Sequence, residues 1–221
     1  MKQEDFLTTP NMVSLGRLGM APFLFLFLYL EKYLNTDGGT IFYGVAAGAV
    51  FLIAALSDIL DGYLARKTGQ VTDIGKFLDP LADKVMVTTA LILLINLDRL
   101  PAWIGLIIIL REMVITGLRG VASTRGTVIA ASNLGKSKTV WQDIAIVCLL
   151  LHGSLDFGLG LVPTWLDWLT YHNVGTISMY VAVFYTMYSG YDYIKKFVDS
   201  ETAAHKKAAE NADGNKHQAP S

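Results

Sequence analysis

Apolar stretches long enough to cross a bilayer recur along this chain, and that feature restricts its fold more than any other. A membrane helix needs about 20 mostly apolar residues, and six such stretches fall near 12–32, 41–66, 75–97, 102–123, 137–156 and 173–195. The sequence therefore predicts an all-α, polytopic membrane protein with six transmembrane helices. Composition agrees: of 221 residues, 52% are hydrophobic and only 17% are charged, against about a quarter charged in soluble domains. The segment LVPTWLDWL (161–169) is too short to span and reads as an interfacial stretch, with Trp165 and Trp168 at headgroup level. Residues 200–221 are polar and low in complexity, which predicts a disordered tail after a membrane domain of residues 1–199. The acidic, polar start MKQEDFLTTPN lacks a cleavage pattern and does not read as a removable signal peptide. The single cysteine, Cys148, lies in the apolar run IVCLLL and reads as a packing residue.

Charge distribution sets the orientation. Arg66, Lys67 and Lys76 lie in the second turn between spans, Arg119, Arg125, Lys136 and Lys138 in the fourth, and Lys195, Lys196, Lys206 and Lys207 follow the last span. The opposite turns offer only Lys32 and Arg99. Positive charge marks the cytoplasmic side, so both termini are expected there. The ionisable residues inside the spans follow the same rule. Arg17, Asp58, Asp61, Asp79, Asp83, Arg111, Glu112 and Asp143 all fall toward the cytoplasmic ends once the spans alternate in direction. Each costs several kcal/mol inside a membrane unless it faces a wet, paired interior. A shared polar cavity open to the cytoplasm is the expected result.

The densest group of these residues is Asp58-x2-Asp61-Gly62-x2-Ala65-Arg66-x8-Gly75-x3-Asp79-x3-Asp83. At 100° per residue, Asp58, Asp61, Gly62 and Ala65 share one helix face, and Asp79 and Asp83 share another. The two helices run antiparallel across a short turn. Asp58 and Asp83 then lie about 12 Å inward from the turn, and Asp61 and Asp79 roughly 6–8 Å inward. Four carboxylates at matched depth repel unless something compensates them. A divalent cation is the natural compensation, and an all-oxygen donor set favours Mg²⁺ or Mn²⁺ over Zn²⁺. Two such ions bridging a diphosphate would stabilise the leaving oxygen of an in-line displacement. Gly62, and Ala65 to a lesser degree, would let a ligand approach the backbone. The plainer reading, four ordinary helix-end acids at the interface, does not account for the matched faces.

This pattern resembles, without a departure, the signature of the CDP-alcohol phosphotransferases. The resemblance implies a six-helix membrane fold, usually a homodimer, with two divalent ions held by Asp58, Asp61, Asp79 and Asp83. It also implies a nucleotide lying against the face of Asp58, Gly62 and Ala65, with Arg66 near the diphosphate, and Asp83 as the general base. Nucleic acid is not an expected partner.

The acceptor is read from the cations. Arg111 and Arg119 sit eight residues apart in LREMVITGLRG, and Lys136 and Lys138 open the fifth span. Cations at those places suit a phosphate. Two plainer readings compete: the lysines as anchors at the membrane surface, and Arg111 as the partner of Glu112. Both segments, together with PNMVSLGR (10–17), resemble the branch of the family that uses a phosphorylated glycerol; Ser14 in place of the usual Thr and a longer tail are departures. The reaction implied is CDP-diacylglycerol plus sn-glycerol 3-phosphate giving phosphatidylglycerophosphate and CMP, in a bacterial cell membrane. Inositol phosphate, serine or phosphatidylglycerol as acceptor is the alternative within the family, and an ion transporter the alternative outside it. A transporter is disfavoured because no internal repeat is visible and the charges keep to one leaflet. Three further features carry less. His152, His172, His205 and His217 show no ligand spacing, Gly44 and Gly48 read as a helix-packing face, and Asp143 as a support for a lysine.

Overall fold

The computed structural model describes residues 9–34, 39–68, 73–124, 133–152 and 170–216, and every regular element in them is a helix. In chain order these are α1 (Thr9–Tyr33), α2 (Gly39–Thr68), α3 (Asp73–Asn96), α4 (Ala102–Thr124), α5 (Asn133–Leu150) and α6 (Tyr171–Lys216). Each of the six expected segments overlaps one helix, with boundaries within six residues apart from the end of α6. The interfacial segment 161–169, with Trp165 and Trp168, lies outside the described residues.

Helix α6 departs most from expectation. It runs 46 residues to Lys216, through most of the segment expected to be a disordered tail. The sequence ETAAHKKAAENADGNK explains this: its alanines, lysines and glutamates are strong helix formers and no proline interrupts it. Polarity alone had suggested disorder, and intrinsic propensity points the other way. At its start, the Asn173 amide donates to Thr170 Oγ1 at 3.2 Å, a threonine cap on the first turn.

Apolar side chains from all six helices meet in one core. Leu24 and Leu28 of α1, Phe51 of α2, Leu91 and Leu94 of α3, and Ile146 of α5 form its centre. Helix α1 packs on α2 and α3, and α5 is clasped most closely by α6. Glycine permits that last approach. A Cβ at Gly175 would lie 2.8 Å from Leu149 Cγ and 3.1 Å from Cys148 Cβ, so any side chain there would push α6 off α5. Gly48 on α2 meets the Leu151 side chain at a built-Cβ distance of 3.1 Å. This fits the packing role expected for it, while half-buried Cys148 lies at the α5–α6 contact beside Gly175.

The outer faces reverse the pattern of a water-soluble protein. Phe23, Phe25 and Leu26 on α1, and Phe184, Met187 and Tyr188 on α6, are exposed. Apolar surface on this scale marks contact with lipid or partner. Among the described residues, Ser14–Tyr33 is a helix long and apolar enough to cross a membrane, and Phe42–Ser57 is a shorter apolar stretch.

Charged residues gather at opposite ends of the bundle. At one end the α3–α4 connection turns back through Asp98, which has a left-handed φ of 57°. The Asp98 amide bonds the Ile95 carbonyl and the Arg99 amide bonds the Leu94 carbonyl, both at 3.0 Å, the pattern that closes a helix C-terminus. The turn aims Arg99 inward, where it pairs with Glu31 of α1 and donates to the carbonyls of Leu149 and Leu150 at 3.3 and 3.2 Å. Lys32 reaches the Asn96 carbonyl at 2.5 Å. His152 and His172, unremarkable in sequence, are brought together here with ring centroids 4.6 Å apart. The other end holds the candidate site.

Candidate active site

Three helices supply the walls. Positions 83, 84, 87, 88 and 91 of α3, positions 108, 109, 112 and 113 of α4, and positions 138, 139 and 142 of α5 surround a cavity of about 90 Å³. Each set advances by three or four residues, so each forms one face of its helix. The floor is apolar, from Leu91 and Ile108, and the polar wall comes from Asp83, Lys84, Glu112, Lys138 and Gln142. Asp83 is exposed and also lines a neighbouring cavity of about 580 Å³, which reaches Arg17 and Asp143. Asp83 therefore stands where the two spaces meet.

The cations are organised by a carboxylate. Glu112 Oε1 accepts from Arg111 Nη1 at 2.8 Å and also from Lys138 Nζ. Arg111 is fixed from its other side, its Nη2 donating to Ser189 Oγ of α6 at 2.8 Å. A chain of polar contacts thus ties α6 to α4 and α4 to α5, and Lys138 is 4% exposed at its inner end. Charge-assisted bonds of this kind are the strong ones. Taken by themselves, Arg111, Lys138 and Glu112 carry one net positive charge. At 4 Å and an effective dielectric near 20, a unit charge of opposite sign gains about 4 kcal/mol, which is the scale of millimolar binding. Before the costs of desolvation and ordering are counted, this charge favours a small anion at the cavity wall.

Lys84 adds a second cation to the cavity wall and donates to Thr116 Oγ1 of α4. Asp83 lies within electrostatic reach of both Lys84 and Lys138. The structure thus brings Asp83 and Lys138 to one cavity, as expected of a base and an acceptor-binding cation. It sets the other cations apart. Arg111 lines the groove between α4 and α6 rather than this cavity, and Arg119 lies over the Tyr193 ring, 5.6 Å from its centroid. The pairing of Arg111 with Glu112, foreseen as the plainer reading, is present, with Lys138 joined to it. The side chain of Lys136 lies outside the described residues.

The carboxylate cluster is described only in part. Asp58 and Asp61 fall in the second half of α2, and Asp79 and Asp83 in the first half of α3. The side chains of Asp58, Asp61, Gly62, Ala65, Arg66 and Asp79 lie outside the described residues, among which no group of three His, Cys, Asp or Glu converges. On donor chemistry, Asp83 suits a hard divalent cation: it offers carboxylate oxygen and lines both cavities.

Sequence reasoning missed Lys84 and Gln142 in this wall and Ser189 behind it. Lys84 follows Asp83 directly and was there to be found. Gln142 lies one helical turn after Lys138, a spacing that marks a shared face but no particular chemistry.

A six-helix bundle with a cavity walled by an aspartate and lysines of three of its helices is the frame in which the sequence comparisons fall. Residues 7–188 match the family model described as CDP-alcohol phosphatidyltransferase, and the chain belongs to that family. Among its relatives is a Bacillus subtilis protein named CDP-diacylglycerol–glycerol-3-phosphate 3-phosphatidyltransferase. It is 42% identical over 192 residues, covering 85% of this chain and 93% of the relative. A Rickettsia typhi protein of the same name is 33% identical over 84% of this chain and 94% of its own length. One from Mycoplasma pneumoniae, again of that name, is 37% identical over 66% of this chain and 70% of its own.

Proposed function

We propose that the chain transfers the phosphatidyl group of CDP-diacylglycerol to sn-glycerol 3-phosphate, releasing phosphatidylglycerophosphate and CMP as a step of phospholipid synthesis. The observation that carries this reading is the single cavity that Asp83 shares with Lys138 and Lys84, in a chain whose relatives bear that activity in their names. One cavity then offers a group to take a proton and cations to hold an anionic acceptor.

The acceptor phosphate sits against Lys138, with Lys84 beside it, while Glu112, Arg111 and Ser189 keep the ammonium in place. Lys136 and Arg119 add positive charge around this end, which draws in anionic acceptors. A hydroxyl of the glycerol points at Asp83, which takes its proton as the oxygen bonds to the lipid-linked phosphorus. The bond from that phosphorus to the CMP oxygen breaks, and CMP leaves. The nucleotide lies along the face of Asp58, Gly62 and Ala65, with Arg66 at the diphosphate. Asp58, Asp61, Asp79 and Asp83 would hold two Mg²⁺ or Mn²⁺ ions, which supply charge neutralisation at the diphosphate and the leaving oxygen. Holding the acceptor in line with the phosphorus replaces a bimolecular encounter by a positioned one, the main contribution open to the protein side chains.

The distribution of positive charge supports six spans in a bacterial cell membrane, with both termini and the cavity facing the cytoplasm. The chain acts as a homodimer in that membrane. Purified enzyme supplied with CDP-diacylglycerol should release CMP with sn-glycerol 3-phosphate and not with serine, inositol phosphate or phosphatidylglycerol. CMP release with another of these acceptors alone would replace the glycerol reading.

A further inference from the structure

We propose that Gln142 is a specificity-determining residue that reads the free hydroxyl of the acceptor. This rests on the acceptor reading above and extends it from the phosphate to the rest of the molecule. Gln142 is 3% exposed, lines the cavity with Asp83 and Lys138, and its Oε1 is buried with no hydrogen-bond partner among the described residues. Buried amide groups in folded proteins are nearly always paired, and one that is not calls for an explanation. Lining a polar cavity, the amide is completed by a ligand that brings a hydroxyl to it.

Spacing supports that ligand. Lys138 and Gln142 are four residues apart on α5, so their Cβ atoms are about 5–6 Å apart on one face. An ammonium for a phosphate and an amide for a hydroxyl, one helical turn apart, match a small phosphorylated polyol. Transfer to sn-glycerol 3-phosphate uses a terminal hydroxyl and leaves the one on the central carbon free. With the phosphate at Lys138 and the attacking oxygen at Asp83, the central carbon lies between them, on the side of the cavity that Gln142 lines. An amide can accept from a hydroxyl through its oxygen or donate to one through its nitrogen. A site that pairs a buried polar group with a substrate hydroxyl rejects the analogue lacking it, because the group is then left unpaired.

The test compares sn-glycerol 3-phosphate with 3-hydroxypropyl phosphate, which lacks only the central hydroxyl, using CMP release by the full-length enzyme in detergent or vesicles. The wild type should prefer the natural acceptor by roughly ten- to a hundredfold in kcat/KM. Gln142→Leu and the less branched Gln142→Met should bring that ratio to within a few-fold of one while keeping the rate with 3-hydroxypropyl phosphate. A wild-type ratio near one, an unchanged ratio in both variants, or equal loss on both acceptors in both variants would overturn the proposal. Absence of CMP release from sn-glycerol 3-phosphate by the wild type would instead overturn the acceptor reading, and this proposal with it.

Discussion

The two ends of the bundle each carry buried charge, and they use it differently. At the Arg99 end the guanidinium is spent on Glu31 and two backbone carbonyls, so the charge is absorbed within the packing of α1, α3 and α5. At the Asp83 end two cations share Glu112, these three groups by themselves carry one net positive charge, and the cluster borders open space. One arrangement closes a helix junction and the other leaves capacity for a ligand. A buried ion pair by itself therefore says little about function. The charge left unmatched says more, since Arg99 too borders a cavity, of about 380 Å³.

The comparison can be broken most severely by removing divalent ions. Chelation should abolish CMP release, and Mg²⁺ or Mn²⁺ should restore it, while the Arg99 end keeps its packing and the protein remains folded by circular dichroism. Full turnover in chelator would remove the metal role assigned to Asp58, Asp61, Asp79 and Asp83. Next in size, Asp83→Asn should reduce turnover by at least a hundredfold, the scale of a lost general base. It should weaken CDP-diacylglycerol binding less than Asp79→Asn does. Equal loss of binding in the two variants would make Asp83 a ligand rather than a base.

A smaller effect is expected from Lys138→Met, which should raise the KM for sn-glycerol 3-phosphate by about tenfold or more with less change in kcat. That is the mark of an interaction shared by ground and transition states. An unchanged KM would assign Lys138 to bracing Glu112. The smallest effect on catalysis belongs to Arg99→Met. It leaves Glu31 buried without its partner and should cost about 3 kcal/mol of stability, seen as a lower thermal midpoint, with the KM for the acceptor unaltered. A changed KM would mean that the two ends are coupled and would undo the contrast between them.

Much of this was legible in the sequence, for definite reasons. Apolar runs announce helices, and each of the six expected segments has one, while among the described residues Ser14–Tyr33 alone is long and apolar enough to cross a membrane. Charged residues inside such runs are rare enough to be noticed, which is how Asp83 and Lys138 came to light. The cost of burying them also forecast that they would share a cavity. Gln142 and Ser189 gave no comparable signal: an uncharged polar residue in an apolar helix can hydrogen-bond locally or face lipid, and only the packing of neighbouring helices decides. Arg111 was expected to hold the acceptor phosphate; it lies at this end of the bundle, paired with Glu112. Its direction, toward α6 and Ser189 rather than into the cavity, depends on helix rotation, which periodicity leaves open. The end of α6 was misjudged because polarity and helix propensity gave opposite advice.

The length of α6 makes it a molecular yardstick. Its 46 residues, at 1.5 Å each, extend about 69 Å, more than twice the roughly 30 Å of bilayer hydrocarbon. Set across a bilayer along its normal, the helix would hold anything joined after Lys216 well clear of the lipid, at a height fixed by counting residues. Each residue also turns the helix by 100°. Deleting one residue from the polar stretch would lower an attached reporter by only about 1.5 Å but swing it more than a quarter of the way around the axis. The far end of this helix therefore sets a compass bearing as well as an altitude.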